Sequence, residues 1–188
     1  MSAEKTRYTS AEFWEFVNAD ENFERRFERI NGEIVQLMPA GMYVGIVTNL
    51  IAYFVTAFVL AHRLGFVTSA ETGYEMSEDD TFAPDIAFVS YKRQTEIPPT
   101  GFNPIPPDFA VEVVSPSDLE HPKERIEKKL NRYKALRIPL LWYVYPNRKE
   151  VEVYVNGEFL KTVGLEGTLD GGDVLPGFTL EVRSIFPD

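Results

Sequence analysis

The stretch PDFAVEVVSPS at residues 107–117 decides the fold of this chain, together with APDIAFV at residues 83–89. Each stretch holds a run of apolar, β-favouring residues next to proline, which predicts a short buried strand. Each run also carries one acid, Asp85 in the earlier strand and Glu112 in the later one. Two carboxylates in apolar strands indicate a functional site, because a buried charge is costly unless a cation or hydrogen bonds compensate it.

Strand alternation places a small residue beside each of these acids. Side chains of a strand point alternately to opposite faces, so Asp85 shares its face with Ala87. Glu112 shares its face with Ala110 in the same way. An alanine leaves space above the sheet that a core strand would fill with leucine or isoleucine. The space favours a site, and the structural alternative is a pair of acids bound to lysine or arginine.

A divalent cation would compensate both carboxylates. The chain has no cysteine and two histidines, His62 and His121, which excludes a thiolate site and disfavours a histidine-rich zinc site. Any metal must therefore be held mainly by oxygen, and carboxylate oxygens suit Mg²⁺ or Mn²⁺. We expect one of these ions at Asp85 and Glu112.

A basic helix is predicted at residues 122–136. Its apolar residues recur at helical spacing, and the helical wheel places Lys129 beside Tyr133 on the inward side while Lys128 points outward. An ammonium near the acids would orient a nucleophile and offset charge in a transition state. The alternative is a lysine whose stem packs beside Tyr133 while its charge reaches water.

The remaining pattern predicts a single domain, residues 1–188, with a mixed sheet, as suits 188 residues of which 44% are hydrophobic. Asn31-Gly32 predicts a hairpin turn, and the basic helix is long enough for a parallel crossover between the strands that flank it. We assign the segments from 66 to 114, including one near Tyr74, to one core sheet. The predicted helices are 10–17, 41–61 and 122–136, and the predicted strands include 26–30, 33–38, 66–70, 85–90, 109–114, 140–145, 151–155 and 159–163.

Residues 34–61 contain no charged side chain. Their apolar residues recur at helical spacing opposite a more polar side, and Pro39 with Gly41 marks a start near residue 41. We interpret the segment as a buried core helix, with a membrane span as the alternative. Its surplus of apolar surface predicts a homodimer.

Charge and the N-terminus bear on partners and location. The formal net charge is −10, which argues against broad electrostatic attraction to nucleic acid. Residues Met1 to Thr9 lack the apolar core of a secretory signal, so we expect a cytoplasmic protein.

Four strings, in this order, resemble a known family: RINGEIV at 29–35, APDIAFV at 83–89, PDFAVEVVSPS at 107–117 and GDVLPGF at 172–178. They are similar to the PD-(D/E)XK nuclease superfamily. Within it, the chain looks like the bacterial family described as putative restriction endonucleases of unknown function. The similarity extends over nearly the whole chain.

This resemblance implies a fold of the α/β (α+β) class, with a restriction-endonuclease-like core in which helices flank a mixed central sheet and extra strands follow at the C-terminus. It implies Mg²⁺ or Mn²⁺ held by Asp85, Glu112 and the backbone carbonyl of Val113, with Glu28 as an additional acid. A lysine from the following helix is thought to serve this family, and it maps to Lys129. The implied activity is hydrolysis of DNA phosphodiesters by a metal-activated water.

Two positions depart from the family pattern. The superfamily lysine belongs where this chain has Val114, and many relatives carry a histidine where it has Tyr43. These departures keep open a weak or inactive nuclease-like module that binds nucleic acid or protein. A third alternative is a structural homodimer in which Lys129 or an arginine plugs the acids and no cleft is open.

Overall fold

The computed structural model describes residues 7–187. Residues 1–6, on which most of the expectation about a secretory signal rests, lie outside the described part of the chain. In chain order the elements are α1 (Ser10–Val17), β1 (Arg26–Ile30), β2 (Glu33–Leu37), α2 (Met42–His62), β3 (Gly65–Ser69), β4 (Tyr74–Ser77), β5 (Asp80–Phe82), β6 (Ile86–Ser90), β7 (Phe109–Val113), α3 (Pro116–Glu120), a π-helical turn (Lys123–Glu127), α4 (Lys128–Ala135), β8 (Leu140–Tyr145), β9 (Glu150–Val155), β10 (Glu158–Gly164), β11 (Thr168–Asp170), β12 (Thr179–Glu181) and a 3₁₀ turn (Val182–Ile185).

A six-stranded mixed sheet forms the centre of the fold, in the order β10-β9-β8-β7-β6-β3. Only β7 and β8 run parallel among its neighbouring pairs, and α4 lies on the connection between them. This is the crossover that the sequence predicts. The C-terminal strands β11 and β12 pair with each other as an additional small sheet.

The two faces of the central sheet pack against different layers. One face of β7, including Val111 and Val113, shares a core with α2 and the C-terminal segment. The opposite face, including Ala110 and Val114, packs against α4 and a second sheet. Strand alternation in this segment therefore divides its residues between two cores.

The second sheet has the order β2-β1-β5-β4. Its β1–β2 hairpin turns at Asn31 and Gly32, both with positive φ, as the Asn-Gly pair predicts. The assignment of the segment near Tyr74 to the core sheet is wrong, because β4 pairs with β5 in this second sheet. Strand β5 spans only three residues, which is too short for a periodic signal.

Helix α2 covers one side of the central sheet with Val44, Val47, Ile51, Val55 and Val59. The helical spacing predicts an inner stripe of Val44, Val47, Ile51, Phe54, Phe58 and Ala61. The first three are buried, whereas Phe54 and Phe58 are only partly buried and Ala61 is exposed, because the buried positions continue at intervals of four. Large apolar residues on the outer side, Met42, Tyr53 and Leu60, are exposed.

By length and composition, α2 is also the one helix of residues 7–187 that could cross a membrane, and 28% of its most apolar window is buried. The interpretation as a core helix accounts for the buried residues on the inner side of α2. Both the absence of a membrane span and the homodimer stay predictions.

The predicted helix at 122–136 is divided in the structure. A short helix, α3, precedes it, and a π-helical turn joins α3 to α4. The amide of Lys128 donates to the carbonyl of Lys123, which is the wider spacing of a π-helix. Turns of this kind occur often at functional sites, and this one ends at Glu127, two residues before Lys129.

Asp80 on β5 links the second sheet to α4 through an ion pair with Arg132, and this contact provides a test of the fold. Its buried carboxylate accepts hydrogen bonds from the Asn31 amide at 2.8 Å, from Ser77 at 2.6 Å and from Arg132. Asp80→Ala leaves these donors unsatisfied, so we expect a loss of about 3 kcal/mol in urea unfolding. Asp79→Ala is the matched control, because its side chain is half exposed and should contribute below about 1 kcal/mol. Equal losses in both variants would contradict this role.

Candidate active site

Asp85 and Glu112 lie at neighbouring points on the face of the central sheet that is turned toward α4. Asp85 occupies a bend after Pro84, one residue before β6, so its predicted place within the strand is off by one position. Its Oδ2 accepts the amide hydrogen of Val113 at 2.7 Å. Glu112 lies within β7, directly before Val113. The hydrogen bond therefore ties the first acid to the strand that carries the second.

Lys129 lies between two acids. Its Nζ is 2.8 Å from Oε1 of Glu28 and 2.8 Å from Oε1 of Glu112. The side chain is only 11% exposed, whereas that of Lys128 is 36% exposed and pairs with Glu33 at 3.2 Å. The structure thus brings Lys129 to the acids and leaves Lys128 on the outside, as the helical wheel predicts.

Glu28 reaches the same place from the second sheet. It lies on β1 and is 1% exposed, and its Oε1 also accepts the amide hydrogen of Ala83 at 2.8 Å. From the residues alone it could have been an exposed strand edge, and the structure excludes that interpretation. The site therefore forms where the two sheets meet, with Asp85 and Glu112 on one side and Glu28 on the other.

Tyr133 is a component of the site that the sequence identifies only as an apolar position. Its buried hydroxyl donates to Oε1 of Glu112 at 2.6 Å. Burial raises the pKa of Tyr133, so the hydroxyl keeps its proton and remains a donor. The available signal was the spacing: Tyr133 follows Lys129 by four residues, and a buried tyrosine hydroxyl usually finds a partner.

Three carboxylates and one ammonium share this buried region. Burial raises the pKa of Glu112 to about 8, against the attraction of Lys129 and with the support of the charges on Asp85 and Glu28. Burial also raises the pKa of Asp85, against the hydrogen bond from Val113. Although burial alone would lower it, the charges of Glu112 and Glu28 raise the pKa of Lys129. Lys129 therefore stays charged, and ionisation of all three acids would leave an excess of negative charge around it.

A cavity of about 410 Å³ opens onto these groups. Its wall combines acids, bases and apolar residues of both sheets and of α3 and α4. The lining includes Arg26, Glu28, Val35, Leu37, Ala83, Asp85, Glu112, Val113, Val114, Ser115, Ser117, Asp118, Arg125, Lys128, Lys129 and Tyr143. The structural-homodimer alternative predicts that Lys129 pairs with Glu112, as it does here. That alternative also requires that no cleft is open, whereas this cavity is open.

The donor set fits a hard cation, although its arrangement is not preformed. Glu28, Asp85, Glu112 and the carbonyl of Val113 offer only oxygen donors, which Mg²⁺ and Mn²⁺ prefer. Within residues 7–187, no three His, Cys, Asp or Glu side chains already surround a common point. Lys129 lies where two of these carboxylates converge. A metal would therefore bind with a rearrangement of this ammonium.

The raised pKa of Glu112 predicts how stability depends on pH. Its ordinary value is 4.5 and its value in the folded protein is about 8, so between these the folded state holds a proton that the unfolded chain releases. The urea midpoint should therefore fall as pH rises from 5 to 8.5 in metal-free buffer. Glu112→Gln cannot titrate and should reduce this slope. A midpoint that rises with pH, or an identical slope in the variant, would contradict the assignment.

Comparison with known proteins places the chain in a family. The family model of Uma2, described as putative restriction endonuclease, matches residues 12–183. Among solved structures, the chain is similar to a putative nuclease belonging to DUF820 from Anabaena variabilis ATCC 29413, with a TM-score of 0.74 and 19% identity over 95% of this chain and 97% of that one. No curated protein matches it. The structural likeness confirms the expected fold, and the family match covers nearly the whole length. The chain belongs to the Uma2 family of putative restriction endonucleases.

Proposed function

We propose that this protein is an endonuclease that hydrolyses DNA phosphodiester bonds through a metal-activated water, with Mg²⁺ or Mn²⁺ as its ion. The observation that carries the proposal is the group of Glu28, Asp85 and Glu112 around the buried Lys129, at the base of an open cavity. A structural ion pair requires neither a third acid nor a cavity, and buried groups with shifted pKa values in a cleft are typical of catalytic sites.

Asp85, Glu112 and the carbonyl of Val113 would hold the ion, with Glu28 as the additional acid. When bound, the ion lowers the pKa of a coordinated water and stabilises charge that develops on the phosphate. It also supplies the positive charge that three buried acids lack with one lysine among them.

The chain's own residues have separate tasks in this proposal. Lys129 stays charged and can stabilise negative charge on the scissile phosphate from its largely buried position. Tyr133 fixes one oxygen of Glu112, and the Val113 amide fixes one oxygen of Asp85. Groups held in this way need little reorganisation during the reaction.

A weak or inactive module that binds nucleic acid or protein is the second candidate. Val114 occupies the position of the superfamily lysine and is buried in the core, so this strand contributes no cation there. Tyr43 stands at the start of α2. In that case Asp85→Ala should leave binding of the partner intact.

Cleavage of DNA by the purified protein tests the proposal. Supercoiled, linear and single-stranded DNA are incubated with Mg²⁺, Mn²⁺ or EDTA, beside Glu112→Ala and Lys129→Ala. We expect nicked or linear products with either metal, none with EDTA, and none from either variant. Identical product patterns from wild type and both variants would refute the nuclease.

A further inference from the structure

A second cavity, of about 210 Å³, adjoins the candidate active site. It lies between α1, the start of β1 and the loop of residues 97–107, which holds five prolines and precedes β7. Arg26, Leu37 and Ala83 line both this cavity and the active-site cavity, so the two share a wall. The remaining lining residues include Phe13, Trp14, Val17, Asn18, Arg25, Phe27, Glu71, Gly73, Thr81, Phe82 and Phe102.

Three aromatic rings form one side of this second cavity. Phe102 stacks on the buried Phe13 with ring centres 5.3 Å apart, and Trp14 meets Phe102 edge-on at 5.0 Å. Trp14 is 39% exposed, so part of its ring is open to solvent. The surface is thus an aromatic platform with a supporting ring behind it.

The loop that carries Phe102 is held in place by backbone hydrogen bonds. The Asn103 amide donates to Gly73 at 2.8 Å, and the Glu75 amide donates to Asn103 at 2.8 Å. Gly73 also allows the ring to lie close, because a Cβ atom there would come within 2.4 Å of Phe102. The platform therefore exists before any ligand binds, which lowers the entropic cost of binding.

Charge limits what this protein can use to hold DNA. The chain carries a net charge of −10, and three cations of the basic helix pair with acids of the protein: Lys128 with Glu33, Lys129 with Glu28 and Glu112, and Arg132 with Asp80. These ion pairs reduce the positive charge that this helix can offer to a duplex. Binding must depend more on short-range contacts than on phosphate neutralisation.

The aromatic platform with its arginines fits one class of ligand. Aromatic rings beside positive charges bind single-stranded nucleic acid, because every base has a face that can stack and each nucleotide carries a phosphate. Arg25 and Arg26 lie at the cavity, and Arg26 borders the active site as well. A base in a duplex would first have to leave its stack, which costs free energy.

We infer that the cavity at Trp14 and Phe102 binds an unpaired base of single-stranded DNA, with the adjoining phosphate directed by Arg26 toward the acids. This inference rests on the proposed nuclease and adds that unpaired DNA is its preferred substrate. It assigns Trp14 and Phe102 to substrate binding and gives them no part in the chemical step.

Fluorescence and anisotropy with the full-length protein test the inference in EDTA, where no cleavage occurs. Trp142 is fully buried, so quenching by an added strand reports on Trp14. We expect a ten-nucleotide oligothymidylate to quench the emission and the corresponding duplex of the same length to leave it nearly unchanged. Measured by anisotropy, Trp14→Ala should weaken binding of the single strand about 5- to 150-fold. Trp14→Phe keeps a stacking ring and should retain most of the affinity.

Tyr53→Ala is the matched control, since Tyr53 is an exposed aromatic residue on α2 that does not line this cavity. Its affinity for the strand should equal that of wild type. No binding of the single strand, equal binding of strand and duplex, or an unchanged affinity in Trp14→Ala would each overturn the inference. The proposed nuclease is judged separately, because metal-dependent cleavage together with an unchanged affinity of Trp14→Ala for the single strand sinks the base site alone, whereas Trp14-dependent binding without any cleavage sinks the nuclease alone.

Discussion

Glu112→Gln is expected to abolish metal-dependent DNA cleavage while the protein stays folded. The amide keeps the size of the side chain and can still accept a hydrogen bond from Tyr133. It cannot carry the negative charge that a divalent ion requires, and the donor set then loses one of its carboxylates. We expect a fall in cleavage rate of about 10³-fold or more, measured on supercoiled plasmid with Mn²⁺.

Asp108→Asn is the matched control for this change. Asp108 is a buried acid just before the opposite end of β7, where it pairs with Arg93 at 3.0 Å and accepts the Ser90 amide. It should lose some stability and keep its cleavage rate. If Glu112→Gln cleaves as fast as wild type under conditions where Asp108→Asn also cleaves, Glu112 does not serve the metal.

Lys129→Ala is expected to remove activity and to lower stability together. Without the ammonium, Glu28 and Glu112 remain buried and lose their cation, so we expect a loss of about 3–5 kcal/mol at pH 8. The loss should shrink at pH 5, because the raised pKa of Glu112 lets it take up a proton there. Urea unfolding at both pH values measures this difference, and cleavage at 4 °C keeps the variant folded.

Lys128→Ala provides the control, because its half-exposed pair with Glu33 should contribute about 1 kcal/mol or less. Mn²⁺ separates binding of the ion from the reaction. In Lys129→Ala the metal should raise the melting temperature by more than in wild type, since the ion replaces the missing ammonium among the acids. A variant that cleaves normally, or that Mn²⁺ does not stabilise, would show that these acids are only an ion-paired part of the core.

The local parts of the site were predictable from the sequence because they depend on one element each. Alternation in β7 gave the face of Glu112, and the periodicity of α4 gave the inward direction of Lys129. The family resemblance added Glu28. Neither source could show that Glu28 and Lys129 meet, because the contact joins β1 of the second sheet to α4 across 101 positions of the chain.

The errors have physical reasons of the same kind. Strand β4 is short, and its sheet is chosen by pairing with β5, which no local pattern reveals. In the π-helical turn each hydrogen bond spans one residue more than in an α-helix. A helical wheel drawn at a constant angle per residue does not include this change. Tyr133 reads as an apolar position because its ring packs in the core, and only tertiary structure shows its hydroxyl on Glu112.

The chain visits the two sheets in alternation, and this order affects how the protein is made. Strands β1 and β2 lie in the second sheet, β3 lies in the central sheet, β4 and β5 lie in the second sheet again, and β6 to β10 lie in the central sheet. During synthesis, Glu28 leaves the ribosome about a hundred residues before the lysine that neutralises it. The site can therefore close only after α4 has been synthesised, whatever structure the β1–β2 segment adopts before then.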